Sequence, residues 1–187
     1  MNQTMKTLRN EHRGIAYLLD LLERQIDLIE KAGNPDLPLI MEVVDYFRSF
    51  PDMYHHPKED LVLRRLRERA TGFDEDFFRL DDDHAHLSDE LHIFSKTISA
   101  LLTDPSPMTR STFILTARSF IQREREHMAM EDRFFFPAAE RWLTDEDWIE
   151  IDKIVGQFPD PMAAPDAGQR FIRLNKHLES WRDTKAA

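Results

Sequence analysis

Cysteine is absent from the chain of 187 residues, which excludes disulfides, thiolate metal sites and cysteine nucleophiles. Glycine is scarce, at 5 residues, while 41% of the chain is hydrophobic and 32% charged, the balance of a helical globular protein. Positive charge is in deficit. The net charge of -10 argues against a surface for nucleic acid or an anionic membrane, since phosphate backbones are bound by clustered Lys and Arg. The one basic run, Arg64 to Arg69, is interrupted by Leu66 and Glu68 and reads as a solvated helix face. No run of 18 apolar residues exists, so no membrane span is expected. The polar start MNQTMKTLRNEH has no apolar core of a signal peptide, so the expected location is cytoplasmic. The length suits one domain with a substantial core.

What is present is a repeat. A displacement of 72 positions carries His12 onto His84, His55 onto His127, Glu59 onto Glu131 and Asp60 onto Asp132. The apolar residues follow the same displacement. Leu8, His12, Ile15, Leu19, Leu22, Ile26 and Ile29 step by fours and threes, as on one buried helix face. Leu80, His84, Leu87, Leu91, Phe94, Ile98 and Leu101 repeat those steps. His12 and His84 therefore sit inside apolar seams. A lone buried histidine is usually a hydrogen-bonded core residue. Two at equivalent places, each with a matched partner helix, point to a site built by two halves of a bundle.

The expected class is all-α: an up-down-up-down antiparallel four-helix bundle over residues 1–143, followed by a helical extension over 144–187. Helix one runs from about Thr4 to Lys31 and stops at Gly33. Helix two starts near Asp36 to Pro38 and reaches Arg69 or Ala70 before Gly72, with a kink or break at Pro51 and Pro57. Helix three spans about Asp74 to Leu102, and helix four runs from Thr109 to about Trp142. The inward seam of helix four reads Phe113, Ala117, Phe120, Glu124, His127, Glu131, Phe134 and Ala138, with a bend near Pro137. Short connections favour antiparallel neighbours. Thr144, with Asp147 three residues on, caps a short helix to about Val155. Beyond a proline-rich linker, Phe158 to Pro165, a last segment places Phe171, Leu174, Leu178 and Trp181 on one face. That face is expected to pack on the bundle or on a partner chain, a homodimer included.

His55-x-x-x-Glu59 and His127-x-x-x-Glu131 each put an imidazole and a carboxylate one turn apart on one helix face. With His12 and His84 they make four nitrogen and two carboxylate ligands. Such a set suits iron, manganese or zinc and disfavours calcium. The repeat symmetry assigns His12 and His55 to one ion and His84 and His127 to the other, with Glu59 and Glu131 bridging. An oxo or hydroxo bridge would be the fifth ligand of each ion and leave a position open on it for a diatomic molecule or peroxide. Asp60 turns off the seam, and Asp132 with it, leaving Asp132 a reserve ligand. His56 lies about 100° around the helix from His55 and His86 about 200° from His84, by helix geometry. Both are expected at the surface or behind the ligands, and His92 and His177 at the surface. Asp52 and Glu124, each three residues before a ligand histidine, either act as ligands at a ferritin-like spacing or orient His55 and His127 from behind.

The ordered set Asn10-Glu-His12, Tyr54-His-His-Pro-Lys-Glu-Asp60, Asp-Asp-His84 and His127-x-x-x-Glu-Asp132 leading to Phe-Phe-Phe-Pro137 resembles the hemerythrin-like, or HHE cation-binding, family. The likeness covers residue 1 to about 143, and Trp142-Leu-Thr-Asp-Glu-Asp-Trp148 is similar to the usual close of such bundles. The resemblance implies a non-haem di-iron four-helix bundle. Oxygen-carrying hemerythrins place two histidines four apart on the third helix, whereas here Leu80 and Ser88 flank His84 at that spacing. The fourth helix carries Glu131 four residues after His127, where the oxygen carriers use an aspartate at five. A more symmetric site, open on both ions, is implied, closer to the iron-centre repair proteins and the ferritin-like members of the wider family, although the N-terminal cysteine segment of the repair proteins is absent.

The expected function is a di-iron protein meeting oxygen, nitric oxide or peroxide, for sensing, scavenging or iron handling. Two other readings stand beside it: a di-iron oxidase or peroxidase, and a regulatory module in which the metal is structural.

Overall fold

A computed structural model of the chain describes residues 2–69, 80–158 and 171–186, and every regular element among them is helical. Helix α1 (Gln3–Glu30) opens where the Asn2 side chain accepts the Met5 N–H at 2.7 Å, which satisfies one of the unpaired donors of a first turn. All seven residues of its predicted seam are buried. Its C-terminus is closed by Ala32, not by Gly33. Ala32 takes the left-handed conformation at φ 54°, and the Gly33 and Ala32 N–H groups return to the Leu28 and Ile29 carbonyls at 2.7 and 3.1 Å. This six-to-one and five-to-two pairing usually places glycine where Ala32 stands. The left-handed region costs an L-residue about 1–2 kcal/mol, part of which glycine's freedom in the unfolded chain takes back. Ala32→Gly is therefore expected to raise stability by about 0.5–1 kcal/mol in urea unfolding.

Helix α2 (Leu37–Phe47) is capped by Asp36. The expected long second helix is divided after it: a wide π-type turn (Pro51–His55) leads into α3 (His56–Arg69). Helix α4 (Leu80–Thr103) carries the second seam, buried at Leu80, Leu87, Leu91, Phe94, Ile98 and Leu101. Helix α5 (Pro107–Met130) starts at a Ser106 cap and passes through a second π-type turn (Glu131–Phe135) into α6 (Phe136–Trp142). The two wide turns share a cause. Each ends two residues before a proline, Pro57 or Pro137. Proline lacks an N–H and its ring clashes with the carbonyl four residues back, a cost of about 3 kcal/mol in a regular helix interior. In both places the widened turn lets the next N–H reach five residues back, His56 to Pro51 and Phe136 to Glu131.

The second wide turn corrects the predicted seam. It inserts one residue, so the inward positions move from Phe134 and Ala138 to Phe135 and Ala139. Phe134 is 49% exposed, and Phe135, Phe136 and Ala139 are fully buried.

Helix α4 packs along α5, α5 packs on α1, α2 packs on α1 and α4, and α3 packs on α6. Phe120 meets Phe47 and Phe94 with ring centroids 5.2 and 5.6 Å apart. The core is two apolar clusters. The larger holds Ile15, Phe47, Phe50, Leu91, Phe94, Phe113, Phe120 and Met128. The other holds Met5, Leu8, Val62, Leu63, Leu80, Phe135, Phe136 and Ala139. On each chain segment the histidines and Glu59 or Glu131 fall between residues of one cluster and residues of the other, so the polar groups form a slab across the core.

The C-terminal extension lies on this chain's own helices. Thr144 and Asp147 form the reciprocal cap of α7 (Asp145–Val155). Trp148 and Ile151 join the second cluster, and Asp152 accepts the Thr4 N–H at 2.8 Å. Arg69 holds both Asp147 oxygens at 2.9 Å. Phe171, Leu174 and Leu178, at and along α8 (Ile172–Ala186), complete the larger cluster, and the Arg173 and Leu174 N–H groups donate to Glu42. The expected Gly72 stop, the start of helix three near Asp74, most of the proline-rich linker and the Trp181 side chain lie outside the described residues. No helix among the described residues is long and apolar enough to cross a membrane.

Candidate metal centre

Each ligand-type residue enters the slab from a different helix. Helix α1 lowers His12 between Leu8 and Ile15, the first wide turn ends at His55, and Glu59 follows one turn into α3. Helix α4 brings His84, α5 ends with His127, and Glu131 opens the second wide turn. The Nε2 atoms surround the two carboxylates. Glu59 Oε1 stands 3.5 Å from His12 and 3.2 Å from His55, while its Oε2 stands 3.5 Å from His84. Glu131 mirrors it, with Oε2 3.2 Å from His12 and Oε1 3.8 and 3.2 Å from His84 and His127. Each carboxylate thus turns one oxygen to each half of the site.

The donor atoms fall into two groups: His12, His55, Glu59 and Glu131, and His56, Glu59, His84 and His127. Within each group the atoms lie inside 4.8 Å of one another. Glu59 and Glu131 are fully buried, yet none of their four oxygens has a hydrogen-bond partner, nor do Nε2 of His12, His84 or His127. These atoms approach as ions do, without hydrogen-bond alignment. Buried polar atoms normally find partners, and seven unpartnered atoms facing each other are the environment of a cation.

The electrostatics agree. Burial works against the charged rings, but Asp132, Glu131 and Glu59 outweigh it at His12 and push its pKa up to about 12. Against the same burial, Glu59 and Glu11 push His55 up to about 9, and Glu131 and Glu59 push His84 up to about 10. Burial prevails at His127, whose pKa is lowered. It also opposes the charge on both glutamates, but the histidines hold Glu59 well below its ordinary range and Glu131 below it. Without a cation, protons do the neutralising.

The chain matches the family described as Hemerythrin HHE cation binding domain over residues 3–139. It belongs to that family. No curated protein and no solved structure matches the chain. An HHE protein holds cations, and the slab of this HHE chain offers His and Glu groups that can do so.

Among the remaining predicted residues, His56 departs furthest from expectation. It is buried, stacks on His84 at 3.8 Å between ring centroids, and belongs to the second group. It follows the first wide turn directly, at the start of α3. Its counterpart under the 72-residue displacement is the buried Met128, so the expected symmetry of the two halves is broken there. His86 is exposed. Asp132 sits at the rim, 3.3 Å from His12 Nδ1. Glu124 is buried but belongs to neither group, and it does not orient His127, whose Nδ1 has no partner. The Asp52 side chain lies outside the described residues.

The sequence reading missed Glu11 and Lys58. Glu11 Oε2 is 2.9 Å from His55 Nδ1, and its other oxygen meets the Lys58 ammonium, which is fully buried and lies 3.3 Å over the Tyr54 ring. The repeat carried a signal for Glu11, since its counterpart is another acid, Asp83. The repeat carried none for Lys58, whose counterpart is Met130, although Lys58 stands within the Tyr54-to-Asp60 stretch that resembles the family.

Proposed function

We propose that this HHE chain is a di-iron protein whose centre meets oxygen, nitric oxide or peroxide, for sensing, scavenging or iron handling. The observation that carries the proposal is the convergence of seven buried, unpartnered carboxylate and imidazole atoms on two adjacent points. His12 and His55 would hold one ion, and His84 and His127, joined by His56, the other. Glu59 and Glu131 would bridge. The turn of one oxygen from each glutamate toward each half supports the bridging role. Nitrogen and carboxylate donors suit iron, with manganese or zinc as competitors. Iron held there would supply redox chemistry and an open coordination position.

The protein's own part is to bind, orient and exclude water. Leu8, Phe135 and Phe136 on one side and Ile15 and Phe50 on the other make dry walls, and Glu11 and Asp132 fix the rings of His55 and His12. The alternation of the two apolar clusters along successive segments supports an up-down-up-down bundle. Residues 1–143 would form the metal-holding unit and 144–187 its cover.

Metal analysis and an optical spectrum of protein from iron-replete cells test the proposal. Two irons with oxo-to-iron charge-transfer bands are expected, and metal-free protein that refuses Fe(II) under anaerobic conditions would overturn it. Glu59→Ala or Glu131→Ala should lower stoichiometry from two toward one or none. Unchanged stoichiometry would count against bridging.

A further inference from the structure

The two halves of the centre differ in what stands behind their histidines. The Nε2 atoms of His12, His55, His84 and His127 face the glutamates, which leaves the Nδ1 of each of these four for a partner outside. In the half of His12 and His55, both Nδ1 atoms face a carboxylate within bonding distance: Asp132 at 3.3 Å and Glu11 at 2.9 Å. In the half of His84 and His127 neither does. Asp60 stands 3.9 Å from His84 Nδ1, beyond a hydrogen bond, and His127 Nδ1 has no partner.

The repeat locates the cause. Asp83, one methylene shorter, replaces Glu11 in the second copy, and Met130 replaces Lys58. Burial differs in the same sense, since all four residues of the first group are buried and His84 of the second is partly open.

We propose that the His12–His55 half takes its cation first and more tightly, and that the Nδ1 carboxylates set this order. The inference rests on the two-cation reading above. An Nδ1–H donated to a carboxylate fixes the tautomer, holds the ring in place and makes Nε2 a stronger donor. Loss of such a partner costs about 10–100-fold in metal affinity. The other oxygen of Glu11 meets the buried Lys58 ammonium, which fixes the position of the carboxylate behind His55. His56 adds a third imidazole to the other half, so the test removes it separately from the Nδ1 partners.

The test is an anaerobic calorimetric titration of the metal-free full chain with Fe(II), repeated with Co(II) to follow its ligand-field bands. Two steps of one equivalent each are expected, separated by at least about tenfold. Asp132→Asn removes the partner of His12 at the rim, and its metal-free melting temperature is measured beside that of the wild type so that a loss of fold is read apart from a loss of affinity. It should weaken the first step about 10–100-fold and spare the second. Glu11→Gln paired with Lys58→Met, which avoids stranding a buried ammonium, should do the same. Asp83→Glu, which restores the reach of Glu11 toward His127, should tighten the second step. His56→Ala should weaken only the second.

Two equivalents taken up in one step of equal affinity would overturn the proposal, as would Asp132→Asn acting on both steps alike. Uptake of one equivalent or none by the wild type would instead overturn the two-cation reading.

Discussion

Loading the metal-free chain with two Fe(II) ions at pH 7 is expected to release about three protons, and the overall binding constant should rise about a thousandfold per pH unit. His12, His84 and His55 have pKa values raised to about 12, 10 and 9, so each carries a proton at pH 7 that a metal must displace. His127 is lowered and already neutral, while Glu59 and Glu131 are held below their ordinary range and already ionised. The steep dependence should span pH 7 to about 9 and flatten as His55 and then His84 lose their protons.

The same shifts act on the metal-free fold. A histidine whose pKa is raised by folding contributes stability that is fully present below its unfolded value near 6.5. That contribution is lost progressively as pH rises above about 6.5 and is gone once pH has passed each folded value, about 9 for His55, about 10 for His84 and about 12 for His12. The metal-free chain should therefore lose melting temperature from about pH 7 upward, most steeply up to about 9, and the metal-loaded chain should lose much less. Calorimetry in two buffers of different ionisation enthalpy counts the protons. Fewer than one proton released would show that the centre is not held together by imidazolium in the absence of metal.

Replacing Glu124 by Gln should stabilise the metal-free chain by on the order of 3–5 kcal/mol at pH 8.5 and by little at pH 5. Burial is the main reason its pKa is raised to about 8, and the charge of Glu131 adds to it, while His55, His84 and His12 act against it. The folded chain keeps this proton, whereas the unfolded chain releases it near the ordinary glutamate value. Stability is therefore lost progressively as pH rises from about 4.5 to about 8, and the loss is complete above that. Gln has the same shape and no proton to lose. Urea unfolding of both chains at the two pH values measures the difference. A gain that is the same at both would mean that Glu124 ionises as freely in the folded chain as in the unfolded one.

Much of the site was legible because its signals are periodic. The seam from Leu8 to Ile29 and its copy from Leu80 to Leu101 are set by helical spacing, which needs no tertiary knowledge. His12, His55, Glu59, His84, His127 and Glu131 stood out as ligand types at matching places on those faces, and the fold brings all six together. Legibility ended where the period changed. Phe134 and Ala138 were placed inward by a regular count, but the wide turn at Glu131–Phe135 advances the seam by one residue. His56 was turned away by the same count. Ala32 closes α1 in place of Gly33 because the hydrogen-bond pairing of the last turn decides which residue turns left-handed, and composition alone points to glycine.

The sequence by itself determined the helices, the two seams and the repeated set of ligand types, because each follows from spacing along one chain segment. Only the tertiary structure decided which atoms meet. Glu11 reaches His55 across 44 residues and Asp132 reaches His12 across 120. Such pairs depend on how helices pack and how far two wide turns rotate them. The inequality of the two halves is therefore a property of the packed chain: a repeat that is nearly symmetric as text becomes asymmetric where Lys58 and His56 enter the core and Met130 and Met128 take their places in the second copy.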